Sequence, residues 1–298
     1  MTDTWVDLLD PDPATLDAAV PYMLHPTASE RMLSPVQHAD YPRPRLERQG
    51  DYLFGVFVVP VCGEQLTFQE VDVVVDRDRL LTVRKTAKND GALDIALLRA
   101  ATAAQEPGAR LYALVDEVAE RYLTMVDYFD EQIDELEDHV EEWDAVMIRE
   151  RISDLRHDIL HARRALTPTR DVARSVLDDR VDLEGDPPLF PHEVEIHFAD
   201  AYDKLLRATD GLDLSRDLLA GVRDYHQAQV ANNQNEVMKR LTVVASVLLL
   251  PTFIVGLYGQ NLKGAPEFRW AHGYAWSWAV IVVTTVVQLV YFRRKKWI

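Results

Sequence analysis

Eight residues toward the C-terminal end, Asn235, Met238, Thr242, Ala245, Leu249, Thr252, Gly256 and Gly259, follow one another at spacings of 3, 4, 3, 4, 3, 4 and 3. On a helix they form one stripe with a period of 3.5. None is charged, and Val243, Val244, Val247, Leu248, Leu250 and Phe253 fill the other faces. Two chemistries suit such a stripe. Small residues let helices approach closely in lipid, so it can be a packing seam. Neutral oxygens repeated along an axis can instead pass a hard cation without trapping it. Asn235 at one end and Asn261 beyond the other tilt the balance toward the second. Mg²⁺ keeps an octahedral shell at about 2.1 Å and dehydrates reluctantly, so Asn261 is expected to meet the ion through its hydration waters.

The elements that must position this stripe are membrane spans. Leu241 to Tyr258 and Tyr274 to Phe292 carry no charge. At about 1.5 Å per residue each can cross a hydrocarbon core of about 30 Å. Lys239 and Arg240 precede the first span and Arg293 to Lys296 follow the second, against Lys263 and Arg269 in the connecting loop. That bias predicts both termini in the cytoplasm. Trp270, Tyr274, Trp276 and Trp278 cluster where an aromatic belt belongs. Glu267 in the loop would attract cations, weakly at physiological salt.

A net charge of -17 must lie almost wholly on the soluble part of these 298 residues. It argues against nucleic acid or anionic lipid as partner and favours cations, although surplus carboxylates also serve simply to solvate a surface. Cys62 is the single cysteine, so no disulfide framework or thiolate cluster is expected. His157 and His161 share a helix face but are crowded by Arg156, Arg163 and Arg164, and His192 and His197 have the wrong spacing for a zincin pair. No phosphate loop, Rossmann glycine run or hydrolase elbow is present. The chain reads as a non-enzyme with no resident cofactor.

Upstream, residues 1–107 read as a cytosolic α/β domain. Its strands are Trp5–Leu9, Tyr52–Val59, Leu66–Val75 and Leu80–Arg84; its helices are Asp12–Val20, Ser29–Leu33 and Leu93–Ala104. Tyr41–Pro44 reads as a connector. Residues 108–190 carry apolar positions at three and four, predicting long helices. A turn is expected at Thr167-Pro168 and a clearer break over Glu184–Pro191. The acidic run Asp127–Asp144 reads as a solvated arm that can also concentrate cations. Residues 191–240 form a stalk, followed by a first span (241–258), an outer loop (259–273), a second span (274–292) and a basic tail (293–298). No proline interrupts the pattern from His192 until Pro251, so one helix of roughly 100 Å is expected. Such a helix is not stable alone and must pack laterally, most naturally in an oligomer.

The run Asn235-Glu236-Val237-Met238-Lys239, then Leu241-Thr242, Pro251-Thr252-Phe253-Ile254, Tyr258-Gly259-Gln260-Asn261, Pro266-Glu267, Trp270, Gly273-Tyr274 and the Lys-Lys-Trp ending resembles the CorA family of divalent-cation channels. The resemblance implies a funnel-shaped homopentamer passing Mg²⁺, and Co²⁺ or Ni²⁺, passively across the bilayer. Its signature loop falls on Gly259, Gln260 and Asn261, and its pore-lining positions on Asn235, Met238, Thr242, Leu249 and Thr252. Ala245 and Gly256 complete the stripe. Gln260 stands where the family usually has methionine, which leaves open a Zn²⁺ transporter like the ZntB branch. A non-conducting membrane-anchored scaffold is the alternative of another class. The family's cytosolic cation sensor maps onto Asp200, within Asp200-Ala201-Tyr202-Asp203, and onto Glu30-Arg31-Met32-Leu33, where Arg31 replaces an aspartate. Arg31 is then expected to pair with Asp200 across a subunit interface as a fixed cation, or else Glu30 and Asp203 take over.

Overall fold

The computed structural model describes residues 4–35, 42–63, 65–86, 93–260, 270 and 272–297. In chain order the elements are β1 (Trp5–Leu9), α1 (Pro13–Ala19), α2 (Pro26–Leu33), β2 (Arg45–Gln49), β3 (Tyr52–Cys62), β4 (Leu66–Val75), β5 (Leu80–Arg84), α3 (Ala96–Ala101), α4 (Pro107–Asp138), α5 (Ala145–Leu177), α6 (His192–Gly259) and α7 (Gly273–Arg294). They divide into two compact units, Met1–Arg223 and Asp224–Ile298.

In the first unit the strands form one sheet in the order β1-β5-β4-β3-β2, with β1 parallel to β5 and every other pair antiparallel. Strand alternation gives the sheet two apolar faces. Leu53 and Phe57 of β3 with Val71, Val73 and Val75 of β4 join the core built by α4, whose Leu111, Leu114, Val118, Tyr122, Met125 and Phe129 recur at three and four. The opposite face, with Phe54, Val56, Val74, Leu81 and Val83, is covered by Leu16 of α1 and Ala28 and Met32 of α2. Tyr122 Oη donates to the Val58 carbonyl at 2.7 Å, tying α4 to the sheet at a buried point.

The upper part of α6 buries Phe198, Ala201, Leu205, Ala208, Leu212, Ser215, Leu219 and Val222, an unbroken alternation of three and four. Ser215 fits this apolar row because its hydroxyl donates to Asp130 of α4 at 2.9 Å. Arg163 of α5 pairs with Asp213, and Lys204 pairs with Asp116 and Glu120 of α4. The long helix is thus held along its flank, as its length requires.

The structure corrects the expected turn at Thr167-Pro168, because α5 runs through Pro168 from Ala145 to Leu177. An interior proline costs about 3 kcal/mol or more. Ala162, Ala165, Leu166, Thr169, Val172, Ala173 and Val176 are buried on both sides of it, and continuing the helix keeps that whole stripe in the core. Strand β2 was not expected at all. Its sequence, Arg-Leu-Glu-Arg-Gln, hides an edge strand whose one buried side chain is Leu46. Strand β3 outruns its expected end through Pro60, since β2 reaches only as far as Val56 and leaves this stretch without a second neighbour. Helix α2 starts earlier than expected, at Pro26, with His25 Nδ1 accepting from the Thr27 amide. Helix α3 is shorter, Ala96–Ala101. Asp12 caps α1 as its sequence predicts, accepting from the Thr15 amide at 2.7 Å.

A Cβ on Gly108 would sit 2.0 Å from the Leu189 carbonyl oxygen, so α4 can meet the chain segment before α6 only at a glycine. Gly108→Ala should cost about 1–3 kcal/mol, the range for overpacking a fitted contact, and lower the thermal unfolding midpoint of the full chain.

A cluster of charges is buried on the other face of the sheet. Glu70 and Asp72, two residues apart on β4, face the α1–α2 side, where Lys85 Nζ contacts Glu70, Asp72 at 2.8 Å and the Arg31 carbonyl at 2.7 Å. Burial, reinforced by the Glu70 charge and opposed by Lys85 and Arg31, pushes the Asp72 carboxyl up to about 7. The folded state therefore holds a proton that the unfolded chain releases near pH 4, and the stability contributed by Asp72 falls as pH rises from there to about 7. Asp72→Asn should unfold at higher temperature than the wild type at pH 8, with the gap closing toward pH 5. A gap independent of pH would mean that Asp72 stays ionised in the fold.

Candidate functional site

Helix α6 has no proline until Pro251 and continues to Gly259. In the unit Asp224–Ile298 all eight stripe residues are exposed on its surface. Met238 and Leu249 expose 59% and 74% of their area, far more than a side chain buried in its own chain. A different face holds the buried Val243 and Ile254, and on that face the Ser246 carbonyl accepts from Gln288 of α7 at 3.4 Å. The first span therefore turns one face to its sister span and leaves the stripe open, together with the apolar Val244, Leu248, Phe253 and Val255.

The stripe itself is chemically uniform. Thr242 Oγ1 donates to the Met238 carbonyl at 2.8 Å and Thr252 Oγ1 to the Leu248 carbonyl at 2.7 Å. Each hydroxyl proton is thereby used on the helix itself, and the oxygen remains available as an acceptor. From Thr242 to Gly259 the stripe presents neutral oxygens, small residues and one large apolar side chain, Leu249. Such a surface can coordinate water around a cation but has no carboxylate to hold the ion fast.

At the N-terminal end of the stripe an open cavity of about 400 Å³ is lined by Asn232, Asn235, Glu236, Met238, Lys239, Thr242 and Trp297. Lys239 is paired with Glu236 at 3.0 Å, which compensates its charge beside Asn235. The presence of Trp297 was not foreseen. After α7 the chain turns through Lys296 at φ 56°, the Trp297 amide donates to the Phe292 carbonyl at 3.0 Å, and the Trp297 ring stacks on Phe292 at 5.8 Å. The basic-aromatic ending of the sequence was the available signal, but a stack closed by one left-handed residue leaves no periodicity to read.

At the other end the Gln260 amide donates to the Leu257 carbonyl at 3.3 Å, tightening the last turn, and both Gly259 and Gln260 are exposed. Asn261 and Glu267 lie outside the described residues.

The expected sensor residues belong to the first unit. Asp200 and Asp203 are exposed on α6 and line a cavity of about 530 Å³ with Tyr112, Lys204, Leu206 and Arg207. Arg31 does not join them within the chain. Its guanidinium pairs with the buried Glu70, a partner the sequence reading had not considered. Glu30 is exposed on α2. The rings of His157 and His161 approach to 4.7 Å, with burial and the neighbouring His157 and Arg164 charges holding His161 below its ordinary pKa. Among the described residues no three His, Cys, Asp or Glu side chains converge to hold a metal.

Comparison with known proteins converges on one family. A family model described as CorA-like Mg²⁺ transporter protein matches residues 3–294. The cobalt/magnesium transport protein CorA of Thermotoga maritima is 30% identical over 283 residues, covering 92% of this chain and 77% of that protein. The cobalt/magnesium transport protein CorA of Methanocaldococcus jannaschii is 26% identical over 263 residues, covering 86% and 80%. Among solved structures, the CorA magnesium transporter of M. jannaschii superposes with a TM-score of 0.81 at 22% identity, covering 99% of this chain and 91% of that one. The cytoplasmic domain of ZntB from Vibrio parahaemolyticus shares the fold more distantly, with a TM-score of 0.57 at 12% identity, covering 76% of this chain and 88% of that one. With the α/β unit and two helices long and apolar enough to cross a membrane, one of them the long α6, the chain belongs to the CorA-like Mg²⁺ transporter family.

Proposed function

We propose that this chain forms a homo-oligomeric, passive pathway for Mg²⁺, and for Co²⁺ or Ni²⁺, through the inner membrane, with 241–258 and 274–292 as its spans and both termini cytoplasmic. The observation that carries the reading is the stripe from Asn235 to Gly259, exposed on the single chain and free of charge. A row of hydroxyls and small residues facing lipid gains nothing from it. The same row turned toward an axis shared by copies of the chain makes a continuous polar lining. Five copies is the number the family resemblance implies.

In this reading Asn261 meets the hydrated ion at the outer entrance beside Gly259 and Gln260, Thr252 and Thr242 offer oxygens along the lumen, Leu249 narrows it, and Asn235 rings the inner end. Passage needs no chemical step. At 100 mV a divalent ion gains about 4.6 kcal/mol on crossing, twice the value for a single charge. Asp200 and Asp203 remain candidates for sensing the cytosolic cation. The Glu70 carboxylate competes with any partner-subunit anion for Arg31.

The test is uptake by proteoliposomes of the full-length protein under an inside-negative potential, with Mg²⁺ and Zn²⁺ compared. Mg²⁺ should enter, and Asn261→Ala should lower the flux by about tenfold or more while the oligomer keeps its size, as expected when a site loses its recognising oxygen. Entry of Zn²⁺ alone would assign the protein to ZntB-like transport. Absence of both fluxes would leave the stripe a packing seam.

A further inference from the structure

Gln288 is the one carboxamide within the second span. Ser277 and Thr284 of the same span spare the bilayer by bonding to their own helix, at the Tyr274 and Val280 carbonyls. Gln288 does otherwise. Its Nε2 reaches across to the Ser246 carbonyl of α6 at 3.4 Å, and its Oε1 is buried without a partner among the described residues. Because the acceptor is a carbonyl, the amide nitrogen must be the atom that faces it. The bond is long, but no water competes for it in hydrocarbon, where an idle carboxamide is costly.

The depths of the two residues agree. Ser246 lies six positions beyond Arg240 and Gln288 five before Arg293, about 9 Å and about 8 Å of helix from the basic residues that bound each span. What Gln288 grips is the turn just before Pro251. That proline has no N–H, so the Val247 carbonyl loses its helical donor, and the adjacent Ser246 carbonyl belongs to the last intact rung of the ladder. A helix with such a gap bends easily unless a neighbour supports it. Ala245 and Leu249, both on the open stripe, flank the supported turn.

We propose that Gln288 is a positioning residue for transport: its carboxamide braces the pore-facing helix at the proline gap and sets the angle at which Leu249 is presented to the pathway. This rests on the transport reading given above. The brace acts through the donor N–H, so its signature is chemical and separable from packing.

The experiment is Mg²⁺ uptake by proteoliposomes of the full-length wild type, Gln288→Met and Gln288→Glu between pH 6 and pH 8, with oligomer size and thermal midpoint measured on the same preparations. Methionine keeps the length of the side chain and fills the same space without a donor. It should change the flux on the order of three- to twentyfold, the equivalent of one interhelical hydrogen bond in a membrane, at unchanged oligomer size. Glutamate donates only while protonated, so the ratio of its flux to that of the wild type should move toward one as the pH falls. This within-protein comparison stands even where methionine loosens the fold. Wild-type flux with Gln288→Met within twofold of it and a Gln288→Glu ratio flat with pH would overturn the brace alone. A wild type that carries no cation would overturn the transport reading and the brace with it.

Discussion

A helix of 68 residues has to be supported along its side, and the remainder of this chain is arranged around that constraint. In the first unit the support is the row from Phe198 to Val222, in which apolar side chains repeat at three and four and are sealed by the Ser215–Asp130 hydrogen bond and the Lys204 and Arg163 ion pairs. Gly211 belongs to the same contact: a Cβ there would come within 2.7 Å of Val126, so α4 and α6 approach at a point only glycine permits. The sheet in turn supports α4 through Tyr122, whose hydroxyl finds the Val58 carbonyl inside an otherwise apolar core. Loss of any one contact would be local. Loss of the row would leave a bare rod.

Within the second unit the same helix changes its requirements. Burial of apolar area no longer separates one face from another in lipid, so helix association falls to close packing and polar contacts. Val243 and Ile254 are buried there, while Ala245, Thr252 and Gly256 remain open. Pro251 weakens the ladder in the middle of the span, a defect that a soluble helix would hide in its core and that a membrane helix must repair from a neighbouring side chain or another copy.

Much of this was legible in the sequence because the signals were periodic. The strands β1, β4 and β5 begin and end where their residue patterns predict, α6 and α7 do so within a residue or two, and the stripe is visible in the spacing alone. What escaped was aperiodic. Strand β2 is charged because one side faces solvent, Pro168 is outvoted by seven buried neighbours, and the Arg31–Glu70–Lys85–Asp72 cluster unites residues from α2, β4 and the end of β5 that are far apart in sequence. Arg31 illustrates the point most sharply. Its replacement of an acidic residue invited a search for an anion elsewhere, whereas Glu70, two strands away and inward-facing, already supplied one. Gln288 escaped for the same reason, as it depends on a single long-range contact, and Trp297 because a local aperiodic turn folds it onto Phe292.

The distribution of charge follows from the same division of the chain. Fixed carboxylates in an apolar interior are expensive, as the upward-shifted Asp72 carboxyl illustrates even beside two cations. A lining built from carboxylates inside the bilayer would incur that cost and would also bind a divalent ion too firmly to release it. Neutral hydroxyls avoid both difficulties, provided that their own protons are satisfied, and Thr242 and Thr252 meet that condition through the carbonyls one turn back. The net charge of -17 is then left to the soluble surface, where water screens it and where it can raise the local concentration of cations without trapping them. Lys239 stands at the boundary between these regimes. Its ion pair with Glu236 compensates the positive charge that borders the cavity at Asn235, so the stripe keeps its neutral balance at its N-terminal end.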